Sequence, residues 1–148
     1  MIEGMAPDSA AFKKKLKSLE VSTSDTIKSN LIKAILAIHS EAIKSIQISH
    51  SAGRIYLKKN IQHVASEPGY PPNTDTGNLV HGIGFNIASN GLSGEVGTNI
   101  PYGKYLEFGT RKMLARPWLI PAYDKIVPGF ADQIHKELRD LYIKKGLR

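Results

Sequence analysis

From Thr26 onward the apolar positions Ile27, Leu31, Ala34, Ile35, Ile38, Ala42, Ile43 and Ile46 recur every three or four residues, with Lys28, Lys33, Glu41 and Lys44 on the other side. That period predicts the longest helix of the chain, with one buried face. Upstream, Phe12, Leu16 and Leu19 keep the same spacing within Asp8 to Leu19, giving a short amphipathic helix that ends near Glu20. The polar run Ser22-Thr23-Ser24-Asp25 reads as a break between the two helices and a source of N-caps for the second.

Around Ser51-Ala52-Gly53 the period changes. Two short β-like runs, Arg54 to Leu57 and Ile61 to Ala65, flank Lys58-Lys59-Asn60 as an irregular hairpin. Glu67 to Asn73 holds three prolines, which remove amide donors and fix φ, so it is expected to be an extended loop. Leu79, His81, Ile83, Phe85 and Ile87 then alternate with Val80, Gly82, Gly84 and Asn86, the period of a half-buried strand. Asn90-Gly91 signals a hairpin turn, and Leu92 to Gly97 reads as the returning strand. Pro101 opens a short helix with Tyr102, Tyr105 and Leu106 on one side and Gly109 at its end.

Pro117 or Pro121 opens the last helix, in which Leu119, Tyr123, Ile126, Phe130, Ile134, Leu138 and Leu141 keep helical spacing. Pro128-Gly129 is expected to kink or split it. Together these elements predict an α+β fold, with N-terminal helices and a C-terminal helix packed on a small antiparallel β-sheet, and a long extended loop. Residues 1–148 read as one domain, with 51–78 an extended loop or arm within it.

Composition narrows the class. An apolar content of 41% over 148 residues suits one modest core. Cysteine is absent, which excludes disulfide staples and thiolate metal sites and fits synthesis in a reducing cytoplasm. The run Ala34 to Ile38 is too short to span a bilayer, and no apolar signal core precedes Lys13, so neither export nor a membrane partner is expected. The net charge of +7 is spread over Lys13 to Lys17, Lys58-Lys59, Arg111-Lys112 and Lys144-Lys145 with Arg148. This is either a solvated basic surface or includes a cluster that faces DNA or a neighbouring acidic ring; composition leaves both readings open.

Catalytic patterns are missing from the sequence. His39, His50, His63, His81 and His135 form no HExxH-like pair, and neither a phosphate loop nor a Gly-x-Ser-x-Gly elbow occurs. Gly82 and Gly84 sit in the strand pattern without the helix that a dinucleotide loop requires. Glu107 lies amid aromatics, where it could serve as an acid or pair with Arg111, Arg116 or a neighbouring subunit. No enzyme activity, cofactor or metal is expected.

The densest set of anchoring residues lies in Pro101 to Ala122, which contains Tyr-Leu-Glu-Phe-Gly-Thr and Ala-Arg-Pro-Trp-Leu-Ile-Pro-Ala. Earlier, residues 65–79 are similar to the pattern Ala-Ser-x-Pro-Gly-x-Pro-Pro-x-x-x-Thr-Gly-x-Leu. Both motifs, in this order, resemble those of the head-to-tail joining or tail-completion proteins of long-tailed bacteriophages, over roughly half the chain. Tyr70, where glutamate is frequent in that family, and Pro128-Gly129 are departures from the pattern.

The resemblance implies a virion protein of the neck or upper tail, made in the host cytoplasm. It implies a homo-oligomeric ring, typically of six, that contacts neighbouring neck and tail-tube proteins and allows DNA to pass without sequence-specific recognition. A head-to-tail ring needs two different complementary patches on each subunit. The candidates for oligomer or partner contact are Pro68, Tyr70, Pro71 and Pro72 in the loop, and Tyr102, Tyr105, Glu107, Phe108, Arg111, Arg116 and Trp118 in the aromatic segment. Trp118 and Phe108 fit a core as well as an interface. The competing reading is a basic DNA-binding accessory protein of phage or prophage origin, favoured by charge.

Overall fold

The computed structural model describes residues 9–49 and 52–146. Asp8, His50, Ser51 and Arg148 lie outside the described residues, as does the side chain of Phe12. In chain order the elements are α1 (Ser9–Ile48), β1 (Ile55–Lys58), β2 (Ile61–Val64), α2 (Asn78–Gly82), β3 (Ile83–Ile87), β4 (Gly94–Thr98), α3 (Gly103–Phe108) and α4 (Ile120–Lys144). The fold is α+β, and its strands form two separate antiparallel pairs, β1-β2 and β3-β4, rather than one sheet.

The first two expected helices are a single one of 40 residues. The polar run does not break α1: Ser22 Oγ bonds back along the same helix, donating to Ser18 O at 2.8 Å, while Thr23 Oγ1 is buried without a hydrogen-bond partner. Three side-chain links register α1 antiparallel to α4. Asn30 Nδ2 donates to Glu137 Oε2 at 2.6 Å, Lys125 pairs with Glu41, and Lys145 Nζ reaches Ser18 Oγ at 3.4 Å. Helix α4 is not split at Pro128, which lies on its exposed side, so packing of the opposite face against α1 carries the helix across one missing amide.

Ala42 and Ile46 of α1, Leu79 of α2, Ile83 of β3, and Trp118 and Ala122 around the start of α4 form the buried cluster. The expected strand from Leu79 is instead a helical turn followed by β3. Leu79 and Ile83 are both buried and four residues apart, so the helical period prevails over the alternating one in this stretch. β3 pairs with β4 from Ile83↔Thr98 to Ile87↔Gly94. A side chain at Gly94 would collide with Ile35, so glycine permits β4 to lie directly on α1. Asn90-Gly91 does turn the chain, with Gly91 at φ 69°, but within a longer connection between Ile87 and Gly94. The β1-β2 hairpin is tighter than expected, since Lys59 and Asn60 at φ 52° and 63° make a two-residue turn of the type favoured by strand twist.

Candidate contact site

Both sequence motifs fold against each other. Pro68-Gly69 forms a turn, with Gly69 at φ 85° and Tyr70 N donating to Glu67 O at 3.2 Å. Gly69 N then donates to Ala115 O at 2.9 Å, and Arg116 Nε to Ser66 O at 3.0 Å. On its other side the 113–117 segment is held by Arg116 N, which donates to Leu106 O of α3 at 2.6 Å. Gly109 makes the reversal between these pieces possible: its φ is 74°, and an added Cβ would lie 2.8 Å from Met113 O. Arg111 stands exposed in the tight turn that follows, between Thr110 and Met113.

At the centre lies Glu107, 6% exposed. Its Oε2 accepts from the backbone N–H groups of Trp118 at 2.8 Å and Leu119 at 2.9 Å, and its Oε1 accepts from Ile120 at 2.8 Å. The carboxylate is thus a cap for α4 supplied from α3, satisfying amides that have no partner within the helix and placing negative charge at the positive end of its dipole. It pairs with neither Arg111 nor Arg116. The signal available in the sequence was an omission, since the residues before Pro121 include no Ser, Thr, Asp or Asn to cap the helix locally.

Trp118 is core, 2% exposed, and its Nε1 donates to Gly103 O at 3.3 Å, which ties the start of α4 to α3. Phe108 is not core, being 72% exposed. Tyr102, Tyr105 and Phe108 follow one another at intervals of three on the outer side of α3, while Gly103 and Glu107 turn inward. In the loop, Pro72 is buried while Pro68 and Tyr70 are exposed. Ser49 Oγ donates to Pro71 O at 2.8 Å and Asn73 Nδ2 to Val64 O at 3.1 Å, so the loop is tied to both α1 and the hairpin.

The strands that adjoin the loop form a hairpin with two different faces. By its register, Ile55 with Val64 and Leu57 with Gln62 share one face, and Tyr56 with His63 and Lys58 with Ile61 the other. The second face is latched to the chain. Tyr56 stacks on His63 at 5.6 Å, Lys58 Nζ lies 2.6 Å from Asp75 Oδ2, and His63 Nδ1 lies 3.0 Å from Asp75 Oδ1. The Lys58 hydrogen bond holds the Asp75 carboxyl below its ordinary range, and the same bond raises Lys58. A groove of about 1060 Å³ runs beneath this face to Tyr102 and Leu106. On the first face Ile55, Leu57 and Val64 are bare.

Among the described residues no three His, Asp or Glu side chains are grouped to hold a metal ion, and no helix is long and apolar enough to cross a membrane. The geometry is that of packing, capping and exposed aromatic contact, as in a small structural protein. Residues 10–109, from α1 to the end of α3, match the family described as "Bacteriophage HK97-gp10, putative tail-component". The chain belongs to this HK97-gp10-like family of bacteriophage proteins. No curated protein and no solved structure matches it.

Proposed function

We propose that the protein is a structural component of the virion neck, forming a ring, typically of six copies, that completes the tail or joins it to the head connector. The observation that carries this reading is the presence of two unlike apolar patches on one small chain: the bare hairpin face of Ile55, Leu57 and Val64, and the aromatic row Tyr102, Tyr105 and Phe108. A ring built head to tail requires such a pair, because each subunit offers one surface to the copy ahead and another to the copy behind. Arg111, Tyr70 and Pro68 lie exposed around the joined motifs and extend the second surface to neck and tail-tube neighbours. Virion membership follows from the family's tail-component description.

Substitution of exposed patch residues tests the reading without disturbing the core. Leu57→Asp and Phe108→Asp should each leave the monomer's thermal midpoint unchanged while abolishing ring formation in native mass spectrometry and production of tailed particles in a complementation assay. Normal assembly by both variants would contradict it. The alternative, a DNA-binding accessory protein, is favoured by one observation, the gathering of lysines at one end of the α1–α4 pair, and requires the protein to be absent from purified virions.

A further inference from the structure

Residues 13–20 and 139–146 carry seven basic and two acidic side chains, and so hold five of the chain's seven net positive charges. The rest of the sequence is nearly balanced, with 13 basic and 11 acidic residues. Although distant in sequence, these stretches share one end of the α1–α4 pair: Lys145 Nζ meets Ser18 Oγ at 3.4 Å, and a Cβ at Gly146 would lie 3.6 Å from Lys15 Nζ. Lys13, Lys14, Lys15, Lys17 and Lys144 are exposed. Among the described residues the ion pairs are those of Lys58 and His63 with Asp75 and of Lys125 with Glu41, none of them at this tip.

The lysines of α1 do not serve the fold, unlike Lys144 and Lys145, which lie at the negative end of the α4 dipole. Lys13 and Lys17 repel each other one helical turn apart, and the early turns of α1 lie at the positive end of its dipole. A compact set of ammonium groups in net excess over the acidic side chains beside them suits an external polyanion. We propose that this lysine tip is a contact for the phosphate backbone of duplex DNA. Lysines act as point charges that neutralise phosphates without reading bases, and duplex DNA presents one negative charge per about 1.7 Å of its axis. Tyr142 is the single aromatic in the two stretches, where binding of single strands requires a series of stacking platforms. The choice of DNA among polyanions rests on the neck reading, in which the genome passes the ring.

The test is binding of the full chain to a fluorescent 30-base-pair duplex across a salt series, with log K expected to fall against log salt with a slope of about −4 to −5. The triple variant Lys13→Gln, Lys14→Gln, Lys17→Gln preserves helix propensity and should reduce the slope's magnitude by about 3, with at least about tenfold weaker binding at 100 mM salt. Circular dichroism and melting of that variant should match the parent, and Lys44→Gln with Lys136→Gln, at exposed lysines outside the tip, should bind as the parent does. Salt-insensitive binding, or equal loss from the Lys44/Lys136 variant, overturns the proposal. So does tighter binding to polyglutamate or to phosphatidylglycerol vesicles, which would make the partner an acidic protein or a lipid surface. A protein located in the neck that fails to bind duplex sinks the lysine tip alone; one that binds duplex but is absent from virions sinks the neck reading instead.

Discussion

Glu107 shows how a single side chain can hold a junction together. Its carboxylate is the acceptor for three consecutive amides at the start of α4. Replacing it with alanine leaves those buried donors without a partner, and Glu107→Ala should cost about 2 to 3 kcal/mol in urea denaturation, with Glu107→Gln costing less because one carbonyl oxygen remains. Trp118→Ala, removing a side chain that is 2% exposed, should cost about 3 to 5 kcal/mol. Unchanged midpoints for Glu107→Ala and Trp118→Ala would mean that the junction is held elsewhere. The glycines and prolines of this site were legible in the sequence because their φ restrictions act locally. The role of Glu107 was not, because its partners are backbone amides eleven to thirteen residues away, and amides carry no mark of residue type.

Among the elements, helical periods over long stretches were readable and the junctions between them were not. The α1 pattern and the final helix follow from their apolar spacing, whereas the polar run at Ser22 looked like a boundary because serine serves equally as a cap and as a residue that bonds back to its own helix. Leu79 was misread for a related reason: a short stretch with apolar residues at both two- and four-residue intervals satisfies strand and helix alike, and burial of Leu79 with Ile83 decides.

The β1-β2 hairpin, an isolated two-stranded pair, depends on its latch at Asp75. Lowering of the Asp75 pKa makes its contribution present above the ordinary value of 3.8 and lost as pH falls through the depressed one. Raising of Lys58 makes its contribution present below 10.5 and lost as pH rises through the elevated one. Tryptic cleavage at the exposed Lys58-Lys59 turn should therefore report on the latch, and Asp75→Asn should speed cleavage about two- to fivefold, the scale expected of an exposed ion pair. An unchanged rate in Asp75→Asn would show that the hairpin is held by the Tyr56–His63 stack and the loop bonds alone.

At the scale of the molecule, the α+β class emerged from counting elements, but the two features that bear on assembly required three dimensions. Basic clusters at residues 13–17 and 144–145 looked dispersed along the chain, and the antiparallel α1–α4 register merges them. Likewise, the motifs at 65–79 and 102–122 are joined by the bonds of Gly69 and Arg116, leaving an aromatic row outside and a buried tryptophan within. A subunit so built has a buried centre and unlike apolar margins, which the proposed head-to-tail ring would use. The most direct measurement is an electron-microscopy reconstruction of the virion neck. The expected result is a ring, typically of six copies, with the hairpin face of one subunit against the α3 aromatic row of the next; a lone copy, or particles without the protein, would contradict the proposed neck role.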